Sequence, residues 1–259
     1  MIKISRRLQC IAEQLIPGQR VADIGSDHAL LPVYLVQQGI AASAVAGEVT
    51  EGPFAAAARG VRDNGLQDKI LVRRGNGLEV VAPGEVDAVT IAGMGGSLIR
   101  DILEAGRERG KLAGVKQLVL QPNIGEDTVR RWLRQHGWEL VAEHILEEDG
   151  KIYEILSAVA VSASVRAESV YDVERFHVLT GCRVSEERLL QMGPLLALQA
   201  SPVWHKKWQS ELKKMEWIAS QLAVSELAAS KQKRSALEHE MDEIREVLSC
   251  MPMDKPSLA

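Results

Sequence analysis

From Arg20 to about Ala160, short apolar runs alternate with stretches of helical spacing. The apolar runs predict strands at residues 20–24, 42–47, 70–73, 86–92, 117–121, 138–146 and 152–161. Helices are predicted at residues 28–38, 53–64, 98–109 and 126–136. Strands that alternate with helices form a mostly parallel sheet with helices on both faces. The fold class is therefore α/β.

The last two predicted strands are joined by residues 147–151, Glu-Glu-Asp-Gly-Lys, which are typical of a hairpin turn. A hairpin at the end of a parallel sheet introduces one antiparallel strand, which we expect at the edge of a seven-stranded sheet. A doubly wound sheet with this ending is typical of Rossmann-like methyltransferases, whereas dinucleotide dehydrogenases usually lack the hairpin.

A different pattern begins after about residue 161, where strand-like runs stop. One helix is predicted at 189–198, with an interruption at Gly193 and Pro194. Apolar residues then recur at steps of three and four in two stripes, Trp204, Trp208, Met215, Ile218 and Leu222, then Leu237, Met241, Ile244 and Leu248. Two such stripes predict a helical hairpin packed as a short antiparallel coiled coil. We therefore expect two domains, residues 1–160 and 161–259.

The formal net charge of −4 does not indicate a nucleic-acid binder, so any such surface is a local patch. The three cysteines, Cys10, Cys182 and Cys250, are too far apart for a zinc site or a disulfide framework, which favours a reducing compartment. No apolar run approaches the ~18 residues of a membrane span, and the N-terminus lacks the pattern of a signal peptide. We expect a cytoplasmic monomer with no metal and no membrane contact.

The loop after the first predicted strand contains Gly25, Ser26 and Asp27. A dinucleotide fingerprint requires glycine at three places, but only Gly25 is present and the acidic Asp27 stands where the second glycine would be. A carboxylate is unfavourable beside a pyrophosphate and favourable beside the sulfonium and ammonium groups of S-adenosylmethionine. The loop therefore favours S-adenosylmethionine as the cofactor.

Two further turns extend this series in strand order. Glu48 ends the second predicted strand, where a carboxylate is placed to accept hydrogen bonds from both ribose hydroxyls of an adenosyl group. Gly75, Asn76, Gly77 and Leu78 follow the third strand, at the turn that flanks the cofactor adenine in methyltransferases. Glu48 alone is equally compatible with a solvated loop charge, but the series favours cofactor binding.

The fourth predicted strand ends in a glycine-rich turn that contains Gly93, Gly95 and Gly96. Such a turn lets a ligand approach the backbone closely, and the alternative is a tight structural turn. Gln121 and Asn123 follow the fifth strand, where their amides either bind a base edge or the cofactor, or simply start a helix. The Asn/Asp-Pro-Pro-aromatic motif of many amino-group methyltransferases is missing here.

The segments VADIGSDHALLP, GEVTEGPF, IAGMGG, LQPN and ILEEDGKIYEI resemble the bacterial tRNA (adenine-22-N1)-methyltransferase family, TrmK. The resemblance implies a Rossmann-like class I methyltransferase fold, S-adenosylmethionine as donor, and methylation of a D-loop adenine of tRNA at N1. Carried over by position, the residues that line the cofactor are Asp23, Gly25, Ser26, Glu48, Val49, Asn76, Gly77, Leu78, Ala92, Gly93 and Met94. Those near the acceptor base are Asp27, His28 and Asn123. The family often has Asp where this chain has Asn76, and an amide still meets the adenine edge.

The chemistry of adenine N1 assigns a role to Asp27. N1 has a lone pair that attacks a sulfonium methyl directly, so no strong base is required, and the product ring is cationic. A nearby carboxylate accepts from the adenine amino group, orients N1 and offsets the new charge. The alternative role of Asp27 is to bind the ammonium of the cofactor, and His28 either contacts the base or is structural.

The N1 edge faces a partner in folded tRNA, so the target base must be swung out. The residues that we expect to contact the RNA are Arg6, Arg7, Gly95, Gly96, Lys206 and Lys207, together with the helical domain. Other cations either contact RNA or form solvated helix faces: Lys3, Arg130, Arg131, Arg134, Lys213, Lys214, Lys231, Lys233 and Arg234.

Three other functions compete with this one. A small-molecule methyltransferase would need a closed acceptor pocket, and no long insertion separates the fourth and fifth predicted strands. A non-enzymatic RNA-binding protein would use the same fold without binding the donor. A nicotinamide oxidoreductase is disfavoured by Asp27 in the glycine loop.

Overall fold

The computed structural model describes residues 2–161, 169–225 and 227–253, and the chain divides into two compact units, Met1–Ala167 and Glu168–Ala259. The strands of the first unit are β1 Gln19–Ile24, β2 Ala41–Glu48, β3 Ile70–Arg74, β4 Ala88–Gly95, β5 Gln117–Ile124, β6 Trp138–Glu148 and β7 Lys151–Ala160. Its helices are α1 Arg6–Glu13, α2 Leu30–Gln37, α3 Glu51–Asp63, α4 Gly96–Glu108 and α5 Glu126–Gln135, with a 3-10 helix at Gly77–Val80.

The seven strands form one sheet in the order β3-β2-β1-β4-β5-β7-β6. β1 to β5 pair in parallel, and β7 is antiparallel to both β5 and β6. The predicted α/β class with a terminal hairpin is confirmed. We had expected the antiparallel strand at the edge of the sheet. It lies instead one position inside the edge, between β5 and β6. After β5, helix α5 carries the chain past the neighbouring strand position, so that β6 forms at the edge of the sheet. The hairpin then brings the chain back between β5 and β6, where it forms β7.

Helices cover both faces of the sheet because buried side chains alternate along the strands. Val21, Ala88 and Val119 point to one face, where they pack in a cluster with residues of α1, α2 and α3. Their neighbours Val89 and Leu118 are also buried and point to the opposite face, where α4 and α5 contact each other and the sheet. The core therefore consists of two apolar layers separated by the sheet.

The strand order reverses between β1 and β4, which are adjacent at the centre of the sheet. From β1 the chain moves outward through β2 to β3, and from β4 it moves the other way to β5. Loops that leave the two central strands therefore diverge and open a crevice at the carboxyl ends of the strands. The loops that the sequence singled out, after β1, β2 and β4, all lie at this edge.

Helix α1 was not predicted, and it is fixed to the hairpin at the other end of the unit. Ser5 caps the helix by accepting a hydrogen bond from the backbone N–H of Leu8. The N–H groups of Arg6 and Arg7 donate to the two carboxylate oxygens of Glu148, at 2.7 and 3.2 Å. A carboxylate is favourable at the positive end of a helix. These contacts bring the N-terminal arginines to the carboxyl edge of the sheet.

Arg130 on α5 is completely buried, contrary to the expectation that it belongs to a surface cluster of cations. Its Nε lies 2.7 Å from Glu143 Oε1, and its Nη2 lies 2.5 Å from Glu154 Oε2. Both glutamates are buried on the terminal hairpin, on β6 and β7. The residue therefore ties α5 to the hairpin and is not on the surface for RNA.

The second unit contains five helices among its described residues: α6 Val173–Thr180, α7 Glu186–Met192, α8 Pro194–Gln199, α9 Pro202–Ala223 and α10 Ala228–Cys250. The predicted break at Gly193 and Pro194 separates α7 from α8. Serine side chains cap α7 and α9, where Ser185 accepts from Arg188 N and Ser201 from Trp204 N.

Helices α9 and α10 pack against each other as the predicted hairpin. The packed residues differ from the predicted stripes at several positions. Leu212 is buried although it was not predicted, and Met215, Leu222 and Leu237 are only half-buried. Ala219 is buried where Ile218 was expected, and Val247 is buried where Leu248 was expected. Each shift is a single residue, because an α-helix drifts against a strict seven-residue repeat. The coiled-coil geometry of this hairpin stays a prediction.

Candidate active site

The loop after β1 has an unusual backbone. Gly25 has a φ of +72°. Three consecutive residues that follow shortly after it, Asp27, His28 and Ala29, have φ values of +39°, +63° and +58°. Non-glycine residues in this left-handed region cost about 1–3 kcal/mol each, so neighbouring contacts must hold them. The N–H groups of Gly25 and Ser26 both donate to Gly47 O, at 2.9 and 3.2 Å. The loop is thus fixed to the end of β2.

Gly25 is required by its backbone angle, and the space beside its Cα is filled by the end of a flexible side chain from the adjacent strand. A Cβ on Gly25 would lie 2.2 Å from the terminal methyl of Met94, which follows β4's Gly93. The absence of a side chain therefore brings the β1 loop and the β4 turn together. This close approach shapes the floor of the crevice.

Asp23, the penultimate residue of β1, is buried below this loop. Its Oδ2 accepts a hydrogen bond of 2.6 Å from Ser26 Oγ, and its Oδ1 accepts one of 2.6 Å from Thr90 Oγ1. Burial raises the pKa of the Asp23 carboxyl above its ordinary value, and these two hydrogen bonds oppose the rise. Asp23 therefore places a buried carboxyl under the loop and fixes Ser26.

Glu48, at the end of β2, links the next two turns to the β1 loop. Its Oε1 accepts a hydrogen bond of 2.6 Å from Asp27 N, and its backbone oxygen accepts one of 2.9 Å from Gly75 N. Burial is also the main cause that raises the pKa of the Glu48 carboxyl, and the hydrogen bond from Asp27 opposes it. Glu48 is therefore not the solvated loop charge that remained an alternative.

A cavity of about 320 Å³ lies at the carboxyl ends of β1, β4 and β5. Nine of its lining residues were singled out from the sequence: Arg7, Asp23, Gly25, Ser26, Asp27, Ala92, Gly93, Met94 and Asn123. Four others were not: Leu8, Leu30, Leu31 and Tyr153. The cavity thus combines residues predicted for the cofactor with residues predicted for the acceptor base.

One wall of the cavity is held by Gln121, whose side chain is fully buried. Its Oε1 accepts hydrogen bonds from Arg7 Nη1 at 2.5 Å and from Gly93 N at 3.2 Å. Its Nε2 donates to Asn123 Oδ1 at 3.1 Å and to Pro122 O at 2.8 Å. Gln121 therefore positions the side chains and backbone that line the cavity and does not itself face a ligand.

Arg7 and Asn123 are brought to the cavity by this network. The Arg7 guanidinium lies 5.4 Å from the centroid of the Tyr153 ring, on β7. Asn123 Nδ2 donates to Gly93 O at 2.8 Å. Sequence reasoning missed Tyr153 because nothing in the local pattern of β7 distinguishes it, and only the strand order places it beside β5.

Two of the three residues proposed for the acceptor base, Asp27 and His28, are largely exposed to solvent, and Asp27 also lines the cavity. The Asp27 side chain is 85% exposed, and its Oδ1 lies 3.6 Å from His28 Nε2. A carboxylate with this exposure is accessible to a ligand that enters from solvent. His28 does not line the cavity among the residues described for it, although it is adjacent to Asp27.

The Asn76 turn lines a separate, smaller cavity of about 150 Å³. Gly77 and Leu78 contribute to it, together with Leu98 and Ile102 of α4. Asn76 N donates to Glu79 Oε2 at 3.4 Å, at the start of the 3-10 helix. The structure therefore brings these three predicted cofactor residues together, but at a different cavity from Asp23 and Gly25. Val49, after Glu48, is largely exposed.

The residues predicted to contact RNA occupy several different environments. Gly96 is buried, and a Cβ there would lie 2.0 Å from Gly125 O, so packing alone accounts for this glycine. Gly95 is half-buried and Arg6 is exposed. In the second unit, Lys206 is exposed, and Lys207 Nζ lies 5.7 Å from the ring centroid of Trp208.

Within residues 2–161, 169–225 and 227–253, no group of three or more His, Cys, Asp or Glu side chains is arranged to hold a metal ion. Over the same residues, no helix combines the length and the apolar character needed to cross a membrane.

Comparison with known proteins gives a consistent result. The family model described as TrmK, tRNA (adenine(22)-N(1))-methyltransferase, matches residues 21–246. The chain is 44% identical over 248 residues to the tRNA (adenine(22)-N(1))-methyltransferase of Bacillus subtilis, which covers 95% of this chain and 98% of that protein. A crystal structure of the B. subtilis tRNA methyltransferase TrmK aligns with a TM-score of 0.84 and 42% identity, over 96% of this chain and 100% of that one. A Streptococcus pneumoniae structure in complex with S-adenosyl-L-methionine aligns with a TM-score of 0.77 and 41% identity, over 95% and 100% of the two chains.

Proposed function

Because this chain belongs to the tRNA (adenine(22)-N(1))-methyltransferase family, we propose that it transfers a methyl group from S-adenosylmethionine to N1 of adenine 22 in tRNA. The observation that carries the proposal is the cavity at the carboxyl ends of β1, β4 and β5. Two carboxylates, Asp23 and Asp27, line it where a dinucleotide-binding fold has bare backbone N–H groups for phosphates.

The residues around the crevice fit a cationic adenosyl donor. The carboxyls of Asp23 and Asp27 line the cavity and Glu48 is bonded to the Asp27 backbone, so all three are placed to attract positive charge. S-adenosylmethionine supplies, when bound, a methyl group activated by the sulfonium. We assign its cationic end to Asp23, Gly25, Ser26, Ala92, Gly93 and Met94, its ribose to Glu48, and its adenine to Val49, Asn76, Gly77 and Leu78.

The acceptor base is assigned to the open side of the cavity, between Asp27 and Asn123. The N1 lone pair of adenine is the nucleophile, so the protein needs to position the base and does not need to remove a proton from N1. The Asp27 carboxylate accepts from the amino group next to N1 and stabilises the positive charge that the ring acquires. Asn123, held by Gln121 and Gly93, presents a fixed amide to the base edge.

Contacts to the rest of the tRNA are assigned to both units. Arg6 is exposed on α1 beside the cavity residue Arg7, where it can meet a phosphate. In the second unit, Lys206 and Lys207 lie at the start of α9. Arg7 itself is bonded to Gln121, so we assign it to the wall of the cavity and not to the RNA backbone. We propose residues 1–160 as the catalytic domain and 161–259 as a tRNA-binding domain, in a cytoplasmic monomer.

Incubation of the protein with labelled S-adenosylmethionine and bulk tRNA tests the proposal against its competitors. We expect label in tRNA, and nucleoside analysis should identify 1-methyladenosine. Donor binding without label in any RNA would favour a small-molecule methyltransferase. A lack of donor binding in calorimetry would favour a non-enzymatic RNA-binding protein.

The role of Asp27 is tested by Asp27→Ala. We expect this variant to lose most of its turnover and to remain folded, because the side chain is exposed, with a slightly lower urea midpoint because Ala tolerates the left-handed backbone here less well than Asp. The matched control is Asp68→Ala, an exposed aspartate just before β3 and so at the amino edge of the sheet. Normal methylation by Asp27→Ala would refute the assignment, as would an equal loss in the control.

A further inference from the structure

Ile124 is an aliphatic side chain exposed next to the acceptor side of the cavity. It is 72% exposed and follows Asn123, which lines the cavity. Single exposed aliphatic residues are common on proteins and need no explanation by themselves. The position of Ile124 is therefore informative only together with the way its backbone is held.

The residues before and after Ile124 in the chain are both held by close contacts. Gly95 of β4 is the partner of Ile124 in the sheet register. A Cβ on Gly96 would lie 2.0 Å from Gly125 O, so the two turns touch through their backbones. On the other side, the Asn123 amide is bonded to Gly93 and Gln121. A β-branched side chain also has few rotamers of its own. Ile124 is therefore presented rigidly to solvent.

The proposed reaction gives such a side chain a use. N1 lies on the pairing edge of adenine, so the base has to leave its stack before the methyl group can reach it. Proteins that hold nucleic acids in distorted forms insert apolar side chains between bases and so stabilise the unstacked state. The cavity beside Asn123 takes the base, and a rigid aliphatic group next to that cavity is placed to enter the space that the base leaves.

We propose that Ile124 is a wedge that inserts into the tRNA when adenine 22 enters the cavity. The inference rests on the proposed function and adds to it a residue that acts on the neighbours of the target base and not on the base itself. Asn123 thus contacts the target base inside the cavity, and Ile124, the next residue, acts on the neighbouring bases outside it.

Ile124→Ala tests the wedge through two substrates. One is the folded tRNA, and the other is the same tRNA with the partner of adenine 22 replaced by a base that cannot pair with it. We expect kcat/KM of the variant to fall about tenfold on the native tRNA, which corresponds to about 1.4 kcal/mol. On the mismatched tRNA we expect a much smaller fall, because that base is already released. A residue that only supported the fold would lower both values equally.

A fluorescent reporter gives a second measurement. With 2-aminopurine next to position 22, binding of the wild type should raise the fluorescence by unstacking the probe, and Ile124→Ala should give a smaller rise. Ile124→Leu should restore both readouts. The matched control is Val141→Ala, which removes an exposed aliphatic side chain from the edge strand β6 and should leave both unchanged.

The results also separate this inference from the function on which it rests. If the wild type does not methylate tRNA, the proposed function fails and the wedge fails with it. If the wild type is active and Ile124→Ala is equally active on native tRNA, or loses the same factor on both tRNAs, only the wedge is overturned. Calorimetry of Ile124→Ala with S-adenosylmethionine should give the wild-type Kd.

Discussion

Replacing the buried amide of Gln121 should weaken catalysis without preventing folding. Gln121→Met keeps the length of the side chain and removes all four of its hydrogen bonds. A hydrogen bond to a charged group contributes about 1.5–3 kcal/mol and one between neutral groups about 0.5–1.5 kcal/mol. The bonds from Arg7 and Gly93 hold the cavity wall, so together they account for about 2–4.5 kcal/mol.

The loss in kcat/KM follows from this range. Every 1.36 kcal/mol corresponds to a factor of ten, so the full range spans about 30-fold to about 2,000-fold. Arg7 is only half-buried, and water replaces part of its lost bond. We therefore expect the lower part of the range, a loss of about 30- to 100-fold. The assay is the steady-state rate of methyl transfer to tRNA, measured beside the urea midpoint of each variant.

A matched control lies on the same strand. Gln117 is also a buried glutamine of β5, and its amide bonds to Gln14 O, Ile16 N and Ser157 Oγ at the opposite end of the strand. Gln117→Met should destabilise the protein but leave kcat/KM unchanged once the protein is folded. The reasoning is refuted if Gln121→Met stays within about twofold of the wild type, or if both variants lose activity equally.

Two further predictions concern stability and pH. Arg130→Met leaves the buried carboxylates of Glu143 and Glu154 without their guanidinium partner and should lower the free energy of unfolding by about 3–5 kcal/mol in urea titrations. The raised pKa values of Asp23 and Glu48 mean that these carboxyls gain protons at a higher pH than ordinary carboxyls, which titrate at about 4. Affinity for the cationic donor should therefore fall as the pH is lowered, and the fall should begin above pH ~4, in calorimetric titrations.

A different result would contradict each of these two predictions. Arg234 forms an exposed ion pair with Glu238 on α10, so Arg234→Ala should leave the urea midpoint unchanged. An equally small effect of Arg130→Met would mean that the buried pairs do not hold the hairpin. A donor Kd that stays constant down to pH 4 would mean that neither carboxyl contributes charge to donor binding.

The fold was predictable where a single periodicity decides the structure. Parallel strands buried on both faces, such as β4 and β5, are continuous apolar runs, and all seven strands were predicted within a few residues. The place of β7 was not predictable, because the order of strands in a sheet depends on pairing and not on the local pattern. Helix α1 was missed for a related reason, since its position depends on Glu148 far along the chain.

The site was predictable where a turn contains glycine or acidic residues directly after a strand. Gly25, Asp27 and Glu48 stand directly after strands, and the topology brings the first two to one cavity and bonds the third to Asp27. Arg130 misled the prediction because an arginine on an amphipathic helix has the same local pattern whether it is solvated or buried against glutamates. Tyr153 gave no signal, because its place beside Arg7 depends on the strand order.

The proposed enzyme methylates one ring nitrogen of one tRNA nucleoside. The measurement that tests it most directly is mass spectrometry of nuclease fragments of a tRNA transcript after reaction with the protein and S-adenosylmethionine. We expect 1-methyladenosine in the fragment that contains position 22, and no methyl group in a transcript that carries guanine there. A methyl group at another position, or an unmodified transcript in the presence of a protein that binds the donor, would contradict it.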